Sequence, residues 1–233
     1  MTSAPAPIRT IVPVALTEVF AHLSPDFTAE TGYSFVVETM LNPEVPAAIA
    51  AGSAYDIAFT NPHHAEEVFA AGHGDAASHT ALARAPLGFA ARGDGDTQVA
   101  RDLPSLRACL QNAGRIGYTE TGTSGKSLAR LLELLAFDQP LRTELVGLAG
   151  GGPMRALRDG DVDLAALPMT NIARQSGVMP VAICPLDLGV EIDLSGFLSL
   201  TPRPGAQAFL KWLADHRQEP NWAAFGVERF TLP

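Results

Sequence analysis

The stretch Ile116-Gly-Tyr-Thr-Glu-Thr-Gly-Thr-Ser-Gly-Lys-Ser127 constrains the fold more than any other part of the chain. Arg115 to Tyr118 reads as a short buried strand, Gly122 and Gly125 as a tight turn, and Ser127 to Leu135 as the start of an apolar-periodic helix. A strand that turns through Gly, Ser and Thr into a helix aims unpaired N–H groups and the positive end of the helix dipole at one point. That point suits an anion, and Lys126 adds a full charge beside it. A nucleotide P-loop does not fit. Gly125-Lys126-Ser127 match the end of G-x-x-x-x-G-K-[ST], but the opening glycine falls on Glu120, a carboxylate where phosphates would approach. The plainer alternative is a strand–helix turn that uses glycine for geometry alone.

At 233 residues and 47% hydrophobic content, the chain is long and apolar enough to bury a substantial core in one or two domains. Twenty-five acidic against 16 basic residues give a formal charge of −9, and no Lys/Arg cluster offsets it, which excludes a nucleic-acid face. No apolar run of membrane-spanning length occurs, so direct membrane insertion is not expected. Met1 to Pro7 has neither a basic n-region nor an apolar h-region. As it stands the chain reads as cytoplasmic; an exported precursor trimmed at its signal peptide, or a misassigned start, would make it periplasmic. Cys109 and Cys184 lack metal or redox spacing, and two buried free thiols are expected rather than one long-range disulfide. No cofactor motif and no metal-ligand cluster is present.

Taken in order, Ile8–Val14 is a strand. The helix Leu16–Thr31 carries Pro25, which should kink or divide it, and Gly32 ends it. Tyr33–Thr39 is a second strand, Glu44–Ala51 a short helix, and Tyr55–Thr60 a third strand. Asn61-Pro62 then caps a helix over His63–Ala71. Gly72–Thr80 is polar and small and reads as a loop; Ala85–Ala91 is a strand, Arg92–Asp96 its turn, and Pro104–Asn112 a helix. Gln139-Pro140 ends the long central helix, and Leu141–Leu148 leads to Gly150-Gly-Gly152. Pro153 sits in the first turn of a helix over Met154–Arg158, a second glycine-to-helix junction. Arg155 there opposes the helix dipole; a bound anion and a solvent-facing side chain are equally good reasons for it. Strands over Asp161–Leu167 and Val178–Cys184 and a helix over Pro204–His216 come next, with a last short helix at Asn221–Phe225. The βαβαβα rhythm belongs to mostly parallel sheets with helices on their faces, whose ligands gather at the carboxyl ends of the strands.

Several phrases together resemble type-II periplasmic solute-binding proteins, the molybdate-binding branch in particular. They are Thr31-Gly32 with Ala50-Ala-Gly-Ser-Ala-Tyr-Asp-Ile-Ala-Phe-Thr60, Ile116-Gly-Tyr with Thr123-Ser-Gly and Leu128-Ala, Ala156-Leu-Arg-Asp-Gly-Asp-Val-Asp-Leu-Ala-Ala, and Ala208-Phe-Leu-Lys-Trp-Leu with Phe225-Gly. They occur in the family's order and cover nearly the whole chain. The resemblance implies two α/β lobes, residues 1–86 plus 184–233 and residues 87–183, joined by crossovers near Ala85–Leu87 and Ile183–Pro185. It further implies closure of the two on a ligand held between them.

The family's ligand positions carry over in part. Its first-strand Ser falls at Ala15, with Thr17 the nearest hydroxyl; its second-strand Ser falls near Asn42 and a backbone N–H near Asn61. In the second lobe the contacts fall at Ser124–Gly125, flanked by Thr123 and Lys126, and at Met154–Arg155. A family Tyr position falls at Pro168. Loss of the serine and the tyrosine argues against molybdate itself, while Lys126 and Arg155 suit a carboxylate. The expected function is therefore a solute-binding protein closing on an organic carboxylate or oxyanion, partnered by a transporter's membrane component if exported. The branch also includes an aconitate isomerase, so proton transfer on a di- or tricarboxylate is the alternative, with Glu120 or His63 as candidate base. His63 and His64 fall on the rim and read more simply as exposed. Tyr118 reads as packing. A regulator's effector domain is a third reading, without a DNA-binding helix pair before Ile8 to support it.

Overall fold

The computed structural model describes residues 5–94, 98–136 and 142–232. Its elements are β1 (Ile8–Pro13), α1 (Thr17–Thr31), β2 (Phe35–Met40), α2 (Val45–Ala50), β3 (Ile57–Thr60), α3 (Pro62–Ala70) and β4 (Asp75–Ala85). Next come β5 (Leu87–Arg92), α4 (Leu103–Asn112), β6 (Arg115–Thr119), α5 (Thr123–Leu135), β7 (Glu144–Leu148), α6 (Gly152–Asp159), β8 (Leu164–Pro168) and α7 (Met169–Ile172). The chain closes with β9 (Val178–Ile183), β10 (Ile192–Leu198), α8 (Pro204–Ala214) and α9 (Glu219–Ala223). The expected turn over Arg92–Asp96, the helix stop at Gln139-Pro140 and the start of Leu141–Leu148 lie partly or wholly outside the described residues.

Two compact units emerge, and the chain passes between them at Arg84/Ala85, Ile192/Asp193, Ala223/Ala224 and Val227/Glu228. The first unit is built on the sheet β2-β1-β3-β10-β4. Here β1 runs parallel to both β2 and β3, while β10 runs antiparallel to β3. All four residues of β3 are buried, as a central strand covered on both faces requires. One side is filled by aromatic rings from α1, β2 and α8. Phe27 and Phe35 lie 4.9 and 4.6 Å from Phe209, and the Phe20 ring meets Phe35 edge-on at 5.1 Å. At the amino ends of β1 and β3, Asp56 is fully buried and accepts from Arg9 Nε at 3.1 Å, Arg9 Nη2 at 2.8 Å and the Arg9 amide at 2.8 Å. Arg203, just before α8, adds its own charge 3.7 Å from the carboxylate. The Asp of the Tyr-Asp-Ile motif is thus a clamp between strand and helix, at the edge away from any ligand loop.

The second unit repeats the plan in the order β7-β6-β8-β5-β9, with β6 parallel to β7 and β8, and β5 antiparallel to β8 and β9. Its core is mainly aliphatic: Leu157, Val162, Leu167, Met169 and Ile172 are all buried.

Three expectations need correcting. Gly72–Thr80 is not all loop, because β4 begins at Asp75, and its first residues are alanines and polar side chains, half-buried or exposed, on an edge strand. Pro25 does not divide α1, which runs from Thr17 to Thr31 and ends on Gly32 at φ 78°. The central helix starts at Thr123, not Ser127. Gly125 therefore lies within its first turn, where a Cβ would stand 2.2 Å from the Thr119 carbonyl oxygen. Only glycine lets this helix begin so close to the strand it succeeds.

Candidate functional site

Parallel strands bring the residues just beyond them to one edge. In the second unit Thr119 pairs with Leu148 at the ends of β6 and β7, and the Glu120 amide donates to the Leu148 carbonyl at 3.0 Å. The first turns of α5 and α6, and Pro168 at the end of β8, therefore share the carboxyl edge of one sheet. The two glycine-broken helix starts that stood out in the sequence are neighbours here.

Their donors differ from the sequence picture. At α5, the Gly125 and Lys126 amides both donate to the Gly122 carbonyl, at 3.1 and 3.3 Å. They are spent within the helix, so the donors that remain to the first turn lie ahead of Gly125. Ser124 is buried and Thr123 half-buried. At α6, Gly152 donates to Ala149 at 2.9 Å, Pro153 has no N–H, and Arg155 donates to Gly151 at 3.4 Å. Met154, half-buried, supplies the single uncommitted amide of that turn. The Lys126 and Arg155 side chains are exposed, and neither joins an ion pair among the described residues, whereas Arg115–Glu144 and Arg130–Glu133 pair elsewhere on the unit. Two uncompensated cations beside two helix N-termini make this edge positive within an acidic protein. Glu120 sits at the same edge with its side chain exposed.

The first unit's carboxyl edge collects Thr17, Asn42 and Asn61 after β1, β2 and β3. The Thr17 hydroxyl donates to the Val14 carbonyl at 3.0 Å. Asn42 is 4% exposed, and its Oδ1 is buried without a hydrogen-bond partner. Such an atom ordinarily costs about 1–3 kcal/mol and marks a residue kept for something other than stability. The Asn42 backbone carbonyl, in contrast, accepts from Thr60 Oγ1 at 3.1 Å. Ser195 Oγ bonds the Thr60 carbonyl at 3.1 Å and lies 3.0 Å from His79 Nε2, so a polar chain underlies the edge. Burial lowers the His79 ring below the ordinary histidine value, against the pull of Glu66. Asn61 holds the N-cap position of α3 but makes no side-chain cap. Its NH2 donates instead to the Asp193 carbonyl on β10.

His63 is exposed and lies against His64 with ring centroids 4.0 Å apart and the rings tilted by 44°. Contrary to expectation His64 is buried, with Nδ1 2.8 Å from the Glu67 carboxylate, so it serves the helix. Cys184 is a buried thiol pushed up to about 12 by that burial, and Cys109 is a half-buried free thiol. Among the described residues no group of three or more His, Cys, Asp or Glu is arranged for a metal ion, and no helix is long and apolar enough to cross a membrane.

Sequence reasoning missed one juxtaposition. A Cβ on Gly147 of β7 would come within 3.3 Å of both the Tyr118 hydroxyl and the Glu120 carboxyl carbon. The absent side chain leaves room for both groups. The only sequence signal was a glycine inside an edge strand.

A family model for bacterial extracellular solute-binding proteins matches residues 8–228. No curated protein sequence matches. Solved structures that resemble the chain include the periplasmic molybdate-binding protein of Azotobacter vinelandii, at TM-score 0.77 and 16% identity over 97% of this chain and 99% of that one. The sulfate-binding protein SubI of Mycobacterium tuberculosis gives 0.71 and 14%, covering 97% of this chain and 87% of that one. PEB3 with bound L-phospholactate gives 0.68 and 12%, covering 95% and 99%. At these identities the likeness is one of fold.

Proposed function

Because the chain belongs to the bacterial extracellular solute-binding protein family, we propose that it is a receptor for a small anion gripped at the carboxyl edges of its two sheets. The observation that carries this reading is the pairing of two helix N-termini with the uncompensated Lys126 and Arg155 at one edge. The Ser124 and Met154 amides and the two cations receive the negative oxygens. Asn42, Asn61 and Thr17 are the first lobe's share of the shell in this reading, the lobes being residues 1–86 plus 184–233 and 87–183. The molybdate-, sulfate- and phospholactate-binding neighbours support an anion as the ligand class. Ala15 and Pro168, where the molybdate-binding branch has Ser and Tyr, favour an organic carboxylate over molybdate, since Lys126 and Arg155 suit carboxylate hydrogen bonding. The family's extracellular description supports an exported protein that delivers its ligand to a transporter in the membrane.

Thermal unfolding against a panel of carboxylates and tetrahedral oxyanions tests this. At a hundredfold excess over Kd, the true ligand stabilises the protein by about 2.7 kcal/mol. The double variant Lys126→Ala/Arg155→Ala loses that gain. A flat response to every anion in the panel refutes the reading.

A further inference from the structure

An edge built only for a bare oxyanion should offer donors throughout, and this one does not. Glu120, directly after β6, is an acceptor-only carboxylate with its amide tied to Leu148. The 118–147 strand register puts Tyr118 and Gly147 side by side. The missing side chain of Gly147 makes room for the Tyr118 hydroxyl and the Glu120 carboxyl, the Tyr118 oxygen and the Glu120 carboxyl carbon each lying 3.3 Å from where its Cβ would be. The Tyr118 ring is fixed from the other side, 3.3 Å from where Gly125 would carry a Cβ in the first turn of α5. A carboxylate at the edge that carries Lys126 and two helix starts disfavours an anion with no hydrogen to offer it, while it welcomes a neighbouring O–H or N–H.

The first unit shows the same bias. The Thr17 hydrogen is committed to Val14, so its oxygen is left with lone pairs alone to offer. One NH2 hydrogen of Asn61 is committed to Asp193. Asn42 carries a buried acceptor with nothing donating to it. Sulfate and molybdate have no hydrogen to give any of these groups.

We infer that the ligand bears a hydrogen-bond donor, a hydroxyl or an ammonium, next to its anionic group, and that Glu120, assisted by the Tyr118 hydroxyl, is the residue that reads it. This rests on the anion-receptor reading above. The carboxylate of the ligand goes to Lys126, Arg155 and the helix starts, and its donor turns to Glu120. Glu120 is then a specificity residue and takes no proton.

Isothermal titration of the full chain with two matched sets, lactate, alanine and propionate, then malate, aspartate and succinate, and with sulfate and molybdate, tests the inference. A hydroxy or amino acid binds about tenfold to a hundredfold more tightly than its unsubstituted partner, the range of one hydrogen bond to a charged group. Whether the hydroxy or the amino member leads identifies the donor. In Glu120→Ala that preference collapses, sulfate gains affinity, and the melting temperature of the free protein is unchanged. Tyr118→Phe, which keeps the ring, shows a smaller loss. If succinate, propionate or sulfate binds as tightly as the donor-bearing acids, or if Glu120→Ala keeps the preference, the inference is overturned while the anion receptor stands. If no anion binds at all, the receptor reading itself fails and takes this one with it.

Discussion

The two units of this protein run their strands to the same plan. In each, a first strand lies between two parallel neighbours and the next strand out is antiparallel, giving β2-β1-β3-β10 in one and β7-β6-β8-β5 in the other. Past the carboxyl ends of the parallel strands the two units diverge. At the first unit's edge Asn42, Thr60, Asn61 and Ser195 are buried and bonded largely to backbone carbonyls. At the second unit's edge Glu120, Lys126 and Arg155 stand in solvent with their charges uncompensated. One topology therefore hosts a polar edge that is bonded except at Asn42 Oδ1 and a charged edge without ion pairs among the described residues. The contrast separates the bonded residues Thr60 and Ser195, which hold the fold, from Asn42, Glu120, Lys126 and Arg155, which wait for a partner.

That division can be broken by mutation. The largest effect is expected from Asp56→Ala at the amino edge of the first unit, which strands Arg9 and Arg203 and costs about 3–5 kcal/mol in urea unfolding. Burial pushes the Asp56 carboxyl up, but the hydrogen bonds and charge of Arg9, with the Arg203 amide, outweigh it and hold the group below the ordinary aspartate value. A depressed folded value means the contribution is present above the unfolded value and lost as pH falls through the folded one. Stability against pH should therefore fall more steeply in the parent than in Asp56→Ala below about pH 4.

Gly125→Ala comes next, since its Cβ would meet a backbone carbonyl rather than a side chain that can turn aside. A loss of about 3 kcal/mol is expected, together with weaker anion binding as the first turn of α5 is displaced. Lys126→Ala and Arg155→Ala sharpen the comparison from the other side. Each should weaken anion binding about tenfold and leave the melting temperature within experimental error, because neither side chain has an ion-pair partner to lose among the described residues. Thr17→Val is the smallest. Its lost bond to Val14 costs about 1 kcal/mol of stability, and its effect on binding stays below that of either cation. A Lys126 variant that unfolds, or an Asp56 variant that melts like the parent, would collapse the distinction between the two edges.

The α/β class and the parallel core of the sheets were legible because apolar runs alternate with glycine- and proline-marked turns; the antiparallel entries of β5, β9 and β10 were not. β4 was missed for the opposite reason: Asp75 to Thr80 are alanines and polar residues on an edge strand, with no apolar alternation to read. The cations were legible too, because Lys126 and Arg155 each come shortly after a glycine at a helix start. The length of α5 was not, since Thr, Ser and Gly are weak helix formers and only the approach of Gly125 to Thr119 explains their place in it. Asn61 looked like a cap by the local Asn-Pro rule, yet its partner Asp193 lies 132 residues away, beyond the reach of any local pattern. The same holds for Tyr118, Glu120 and Gly147, which a strand register brings together.

The first unit is assembled from three separated stretches of chain, and β10 enters its sheet beside β3 only after the second unit's strands have all been made. A growing chain can therefore finish most of the second unit while the first still lacks β10 and α8. The half bearing the charged edge should mature early during synthesis, and the aromatic half last, closing around Phe209. Release of a nascent chain before α8 emerges would leave Phe20, Phe27 and Phe35 without the ring they pack on.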